Sequence, residues 1–209
     1  MDGREGQATA LYARVRACQG CTLARTRTNA VPGEGPLNAE LMFIGEAPGQ
    51  NEDRQGRPFV GAAGSYLEEL LGKINLKRTD VFITNVVKCR PPNNRDPLPD
   101  ELAACSDYLE RQIQVIIPKV IVTLGRYSMA RFLPNAKISD VHGQAYKIKG
   151  RLVVPMFHPA AALHQPSLKI SVERDFARLP ELIAKVSDAE VVEVKPPEDK
   201  SEPTQLSLF

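Results

Sequence analysis

Residues 40–45 read ELMFIG, a short apolar run that ends at a glycine. This length and boundary predict a buried β-strand, because helices are usually longer. Two further apolar runs have the same character, VFITN at 81–85 and VIVTL at 120–124. The three runs predict the centre of a β-sheet.

Segments with helical spacing alternate with these strands. They lie at residues 7–17, 65–76, 100–117 and 168–186, and a shorter helix is expected from residue 126 through 133. Residues 145–149 and 152–157 predict a hairpin-like pair around Gly150. Strands that alternate with helices pair in parallel. We therefore expect an α/β fold, a three-layer α/β/α sandwich around a mainly parallel four-stranded sheet.

The composition limits the class of protein. The chain has 209 residues, enough for one α/β domain plus a tail. No apolar run reaches the about 20 residues of a membrane span. We therefore expect a soluble protein with no membrane partner. We also expect it to be cytoplasmic and monomeric. From residue 187 onward there are six acids and two lysines, so the net charge of +2 leaves +6 on the rest of the chain. This bias is compatible with a polyanionic partner.

Four cysteines fall into two pairs, Cys18 with Cys21 and Cys89 with Cys105. Four thiolates form a soft ligand set that suits zinc or an iron–sulfur cluster. Two disulfides are the alternative, but we expect no signal peptide, and disulfides are rare in reducing compartments. A thioredoxin-type pair would leave Cys89 and Cys105 without a function. The residues predict a four-cysteine metal site.

Polar residues stand at the predicted strand ends. Glu46 follows the first strand, Asn85 ends the second and His158 follows the last. Ligands of open parallel sheets bind outside the carboxyl ends of the strands, so these residues are expected to share one cleft. Each also has a structural alternative, namely a turn residue, a cap and a loop histidine. Phe59, in the glycine- and proline-rich loop 45–64, is either a lid anchored in the core or a platform for a flat ligand.

Three stretches carry a resemblance to a known family. GEAPGQNEDRQGRPFVGAAG (45–64), TNVVKCRPPNNR (84–95) and FHPAAALH (157–164), with the cysteine spacing, closely resemble family 4 uracil-DNA glycosylases over residues 10–186. The resemblance implies a structural 4Fe–4S cluster on the four cysteines and excision of uracil from DNA without metal chemistry. It also implies these roles: Gly45, Glu46 and Ala47 border the uracil, Phe59 stacks on it, Asn85 reads its edge and His158 meets its O2.

Elementary chemistry supports these roles. A base inside a duplex must be flipped into a pocket before its glycosidic bond can be cut. The ring of Phe59 offers a stacking contact worth about 1–3 kcal/mol. The amide of Asn85 matches O4 and N3–H of uracil, whereas cytosine presents the reverse pattern and is rejected. His158 and backbone N–H groups near Ala47 can donate to the charge that develops on O2.

The residue that orients the attacking water is left open. Related families place an aspartate after the first strand, but here the stretch reads EAP (46–48). Glu46, or Glu52 and Asp53, could orient the water or stabilise the sugar cation. The alternative for Glu52 and Asp53 is that they brace the loop through Arg54 or Arg57. Glu46 and His158 are our predicted catalytic residues.

A non-catalytic or covalently trapping uracil-DNA-binding protein is the alternative function. One neighbouring family bonds to the sugar through a histidine in a basic loop after the second strand. Here that loop reads VVKCRPPNNRDP and contains no histidine, which favours a monofunctional glycosylase that initiates base-excision repair. His142 and His164 are interpreted as loop residues. Leu163 is the predicted wedge that fills the vacated base stack, with a core leucine as the alternative.

The C-terminal segment differs from the rest of the chain. We divide the protein into a glycosylase domain with its cluster, residues 1–186, and a disordered tail, residues 187–209, because the tail is rich in proline and charge. The tail ends in QLSLF, which resembles the peptide that bacterial replication and repair proteins insert into the DNA sliding clamp. A frayed strand or a packing segment is the alternative. The predicted clamp-binding residues are Gln205, Leu206, Ser207, Leu208 and Phe209.

Overall fold

The structure, a computed structural model, describes residues 3–184, so the predicted tail and its clamp-binding peptide lie outside the described residues. Five strands form one sheet in the order β2-β1-β3-β5-β4. They are β1 (Leu41–Gly45), β2 (Phe82–Asn85), β3 (Val120–Leu124), β4 (Tyr146–Ile148) and β5 (Arg151–Met156).

The mainly parallel sheet is confirmed, with one more strand than the predicted four. Strands β2, β1, β3 and β5 pair in parallel, and β4 adds to β5 in antiparallel fashion at the edge. Lys149 and Gly150 connect β4 to β5, and both have positive φ angles, 49° and 76°. Two such residues form the turn that matches the twist of a hairpin. The predicted hairpin pair is therefore a two-residue β-hairpin that extends the parallel sheet.

Eight α-helices surround the sheet in the described part of the chain. They are α1 (Gly3–Ala17), α2 (Gln50–Gln55), α3 (Ala62–Lys73), α4 (Pro99–Ile116), α5 (Arg126–Ala130), α6 (Ile138–Val141), α7 (Pro159–His164) and α8 (Pro166–Ala184). Within residues 3–184, no helix combines the length and the apolar character that a membrane crossing requires.

Three of these helices lie in segments that we had interpreted as loops. The interpretation of His164 as a loop residue is wrong, because it is the last residue of α7. This short helix begins with Pro159 at its first position and is capped by the side chain of His158. Proline fits there because the first N–H groups of a helix have no intrahelical partner. His142 directly follows α6 and bonds Asp175 of α8, 2.6 Å from Nδ1 to Oδ2.

The core lies on both faces of the sheet, which confirms the three-layer sandwich. Alternate residues of a strand point to opposite faces. Phe43 of β1 packs with α3 and α8 on one face, and its ring stacks on Phe176 with centroids 5.9 Å apart. Its neighbours Met42 and Ile44 pack toward Leu109 of α4 on the other face. Burial of each such side chain contributes roughly 1.5–3 kcal/mol to stability.

Candidate active site

A cleft of about 390 Å³ opens at the carboxyl ends of the parallel strands. Five of the six predicted base-contacting residues line it, namely Glu46, Ala47, Phe59, Asn85 and His158. The sixth, Gly45, packs against two of them: a Cβ atom there would overlap the Asn85 side chain and come within 2.7 Å of the Phe59 ring. Only glycine fits at this position without moving its neighbours.

Phe59 is held in an unusual backbone conformation. Its φ is 51°, a region that residues with bulky side chains rarely adopt. Two guanidinium nitrogens of Arg78 donate to the carbonyl oxygens of Phe59 (2.9 Å) and Pro58, and Gly64 packs directly against the Phe59 backbone. The ring lies on that of His158, with centroids 5.5 Å apart and 22° between the planes. Phe59 is therefore both anchored in the core and part of the cleft wall.

Asn85 presents an unsatisfied acceptor to the cleft. It is the last residue of β2 and only 2% exposed. Its Oδ1 atom is buried and has no hydrogen-bond partner within residues 3–184. A buried polar atom without a partner costs roughly 1–3 kcal/mol, so such an atom needs an explanation. A ligand that brings an N–H group into the cleft would satisfy it.

His158 is held as a neutral hydrogen-bond donor. Its Nδ1 accepts the backbone N–H of Ala160 at 3.1 Å, so in the neutral ring the proton is on Nε2. Burial lowers the pKa of His158 to about 4, and the charge of Glu52 only partly offsets this. At neutral pH the ring therefore offers one N–H, from Nε2, without carrying a positive charge.

Glu46 is fixed by the turn after β3. Its Oε1 accepts the backbone N–H of Tyr127 at 3.1 Å. Burial raises the pKa of Glu46, while the hydrogen bond from Tyr127 and the charge of Arg126 act in the opposite direction. Gly125 has φ 95° and packs against the carboxylate, leaving no room for a Cβ atom. One carboxylate oxygen is thus committed to the protein.

Glu52 and Asp53 brace the loop, which is the structural alternative that we had left open. Oε1 of Glu52 accepts the backbone N–H groups of residues 60 and 61, at 2.8 and 2.9 Å. Asp53 is buried, and its Oδ1 accepts the backbone N–H groups of residues 28 and 29, at 2.8 and 3.2 Å. The partners are backbone amides and not Arg54 or Arg57, the partners that this alternative had named. Glu52 also lines the cleft, whereas Asp53 does not.

The four cysteines gather beside α1 and α4. All four are free thiols, so the disulfide alternative is not what the structure contains. Burial, with smaller contributions from the charges of Cys89 and Cys21, raises the pKa of Cys105 to about 11, against the opposing effect of Lys88. Burial also raises the pKa of Cys89, to which Cys21 and Cys18 add, whereas a 3.0 Å hydrogen bond from Arg27 lowers it. The thiols are thus electrostatic neighbours.

No single-ion metal site is formed by the described residues. Within 3–184, no group of three or more His, Cys, Asp or Glu side chains could hold a metal ion. Zinc with Zn–S bonds of about 2.3 Å would need its ligands drawn tightly together. The donor set itself, four thiols, is one that both structural zinc and iron–sulfur clusters use.

One cleft wall was missed by sequence reasoning. Pro91, Asn94, Arg95, Asp96 and Pro97 line it, although we assigned them no function. The asparagine pair at 93–94 could have indicated this wall, because asparagine tolerates the positive φ angles of tight turns. Both residues have positive φ here, 55° and 53°.

Leu163 lies outside the cleft, on α7. It is 46% exposed, so the alternative of a core leucine is wrong. An exposed leucine near the cleft suits an apolar wedge, which stays a prediction.

The sequence of this chain is similar to those of known proteins. The uracil DNA glycosylase superfamily matches residues 32–179 of the chain. A protein named Type-4 uracil-DNA glycosylase from Sulfurisphaera tokodaii is 54% identical over 178 residues, which cover 80% of this chain and 81% of that protein. Proteins of the same name from Archaeoglobus fulgidus and Thermotoga maritima are 49% and 48% identical, covering 82% and 74% of this chain and 90% and 82% of their own lengths.

Proposed function

Because this chain belongs to the uracil DNA glycosylase superfamily, we propose that its cleft is the pocket that receives a uracil flipped out of DNA. The protein is a uracil-DNA glycosylase, a hydrolase that acts on N-glycosyl bonds in uracil-containing DNA. The observation that carries the pocket assignment is the buried, unpartnered Oδ1 of Asn85. It lies beside the ring of Phe59, on which a flat base can stack.

Recognition of uracil follows from the Asn85 amide. Oδ1 accepts N3–H of uracil, and the NH₂ group donates to O4. Cytosine has no hydrogen on N3 and carries an NH₂ group in place of O4. With cytosine, the acceptor Oδ1 would therefore face the acceptor N3, and the NH₂ donor of Asn85 would face the NH₂ donor of the base. Polar groups left unpaired in this way disfavour binding of an analogue strongly.

Cleavage needs stabilisation of the departing base. When the bond from C1′ to N1 breaks, its electron pair leaves with uracil, and the negative charge concentrates on O2. The Nε2–H of His158 donates to that oxygen, a contribution typically worth about 3–4 kcal/mol. The oxygen of a water molecule then bonds to C1′, and the carboxylate of Glu46 orients this water or stabilises the cationic sugar. Uracil takes up the proton that the water releases.

Release of free uracil tests this function. Oligonucleotides that carry U:G, U:A or T:G pairs, or a single-stranded uracil, are incubated with substoichiometric protein. We expect repeated turnover on uracil and intact abasic strands as the second product. A stable protein–DNA adduct, or binding without release of the base, would instead identify the trapping or non-catalytic alternative.

We propose that Cys18, Cys21, Cys89 and Cys105 hold a 4Fe–4S cluster. The proposal is supported by an all-thiol donor set, by the electrostatic proximity of the sulfurs and by the similarity to Type-4 enzymes. Cys18, Cys21, Cys89 and Cys105 would hold the cluster between α1, α4 and the loop after Asn85, and the residues of the cleft carry out the reaction.

Iron analysis tests the cluster. The purified protein should be brown, contain about four irons and lose its colour when iron is chelated after oxidation. Cys89→Ser should destabilise the fold more than it alters base choice, because Cys89 follows the Asn85 strand but does not line the cleft. Thermal unfolding and excision of uracil against cytosine are compared for the same sample. A colourless, fully active protein with stoichiometric zinc would refute the proposal.

We also propose that the terminal QLSLF binds the DNA sliding clamp, on the basis of its sequence alone. Phe209 and Leu208 would supply most of the binding energy, as apolar anchors do in small interfaces. Deletion of residues 205–209 should leave excision on short oligonucleotides unchanged and abolish clamp binding, expected at about micromolar affinity. Equal affinity of the intact and truncated proteins in a titration with clamp would contradict the proposal.

A further inference from the structure

A lysine ammonium is buried next to the uracil-reading residue. Lys88 is 1% exposed, and its neighbours Thr84, Asn85 and Gln112 are equally enclosed. Lysine is almost never fully buried unless it is paired, because removing a charge from water is costly. Nothing in the pocket assigned above uses this residue.

The ammonium group is saturated by three oxygen acceptors. Nζ donates to Oγ1 of Thr84 at 2.8 Å, to Oε1 of Gln112 at 2.6 Å and to the backbone carbonyl of Asn85 at 2.6 Å. These acceptors match the three N–H donors of the protonated amino group, although burial lowers the pKa of Lys88 to about 7. The amide of Gln112 and the hydroxyl of Thr84 in turn donate to the carbonyl of Pro32. Lys88 is therefore held rigidly from several sides.

All three acceptors are uncharged. Within the described residues the ionisable groups that act on Lys88 are the thiols of Cys105 and Cys89, and no carboxylate is among them. A methionine could fill the same volume without the cost of burying a charge. The hydrogen bonds of the ammonium group, rather than its volume, therefore distinguish lysine here.

The bond to Asn85 lies where the sheet ends. The ladder between β1 and β2 stops at the pair Gly45 and Asn85. Beyond this pair the N–H groups of residues 86 and 87 donate to the carbonyls of residues 45 and 46, at 3.0 Å each, and Lys88 binds the carbonyl of Asn85 itself. The orientation of the Asn85 side chain depends on where this backbone lies.

We propose that Lys88 is a positioning residue for uracil recognition, which fixes the backbone of Asn85 and thereby the amide that reads the base. This inference rests on the proposed contact between Asn85 and uracil. Lys88 itself touches neither the base nor the reacting atoms. Its loss should therefore reduce the chemical step and the discrimination between uracil and cytosine, while DNA binding, which phosphate contacts dominate, stays unchanged.

A double-mutant cycle tests the proposal in the full-length, cluster-containing protein. Lys88→Met should lower single-turnover uracil excision at least about tenfold, with little change in affinity for DNA. In the background of Asn85→Ala the same change should cost nothing further, because Lys88 would act only through Asn85. Lys119→Met, which removes a surface lysine paired with Glu40, is the matched control and should behave as wild type.

Folding and function are separated within the same experiment. Iron content and circular dichroism are measured for every variant. If Lys88→Met does not fold or loses iron, Thr84→Val replaces it in the cycle, since it removes one acceptor and leaves the lysine in place. An equal loss in both backgrounds would overturn the role of Lys88. A wild-type rate for Asn85→Ala alone would instead refute the proposed contact between Asn85 and uracil.

Discussion

Replacing Asn85 with aspartate is expected to lower uracil excision by about 10³-fold or more, because a site built to hydrogen-bond a base discriminates strongly when one bond is lost. The ionised carboxylate has only acceptors, so nothing donates to O4 of uracil and two oxygens repel each other. The backbone bond from Lys88 to the carbonyl of residue 85 is kept in this variant. The expected loss therefore belongs to the side chain.

Single-turnover excision and DNA affinity are measured side by side for Asn85→Asp. Affinity should stay close to wild type. Asn75→Asp is a matched control, because Asn75 is an exposed residue after α3, and both asparagine and aspartate tolerate its φ of 59°. Near-wild-type release of uracil by Asn85→Asp would show that this side chain does not contact the base.

Replacing His158 with alanine should lower the chemical step by about 10²–10³, the usual effect of losing one preorganised donor to a developing anion. The cavity left beside Phe59 also removes one stacking partner of its ring. His164→Ala, an exposed histidine at the end of α7, is the control for general effects on this helix. If His158→Ala keeps its wild-type rate under single-turnover conditions, the donor to O2 lies elsewhere.

The pH dependence follows from the same histidine. Its pKa falls from the ordinary 6.5 to about 4 in the folded protein, so the ring is neutral between pH 6 and 8, and the rate should not follow a histidine titration there. Below pH 6.5 the unfolded chain binds a proton that the folded one excludes. The contribution of His158 to the unfolding free energy is therefore complete above pH 6.5 and is lost as the pH falls toward 4. Denaturant titrations of wild type and His158→Ala across this range measure the difference.

The sequence predicted the parts of the protein that depend on local pattern. The apolar runs at 41–45 and 120–124 form central parallel strands, and Glu46, Asn85 and His158 lie at one edge because parallel strands end together. The long amphipathic helices were also found, with shifted boundaries. These features are set by periodicity and by the geometry of a parallel sheet.

The remaining features depend on contacts between distant segments. The positive φ of Phe59 is held by Arg78, which lies 19 residues away along the chain. The role of Glu52 as a brace depends on two amides at residues 60 and 61, and that of Asp53 on amides at 28 and 29. Sequence patterns suggested arginine partners because opposite charges are visible in a sequence, whereas backbone amides are present at every residue.

The close packing of Gly45 against two cleft residues limits the order in which mutations can accumulate. A methyl group at Gly45 would overlap the side chain of Asn85 and press on the ring of Phe59, so any substitution there is harmful while both neighbours keep their size. The same substitution becomes acceptable once residue 59 or 85 is smaller. The cost of the substitution thus depends on which residues occupy positions 59 and 85. Evolution toward another base must first alter a wall of the pocket, and libraries that vary position 45 alone should yield only inactive proteins.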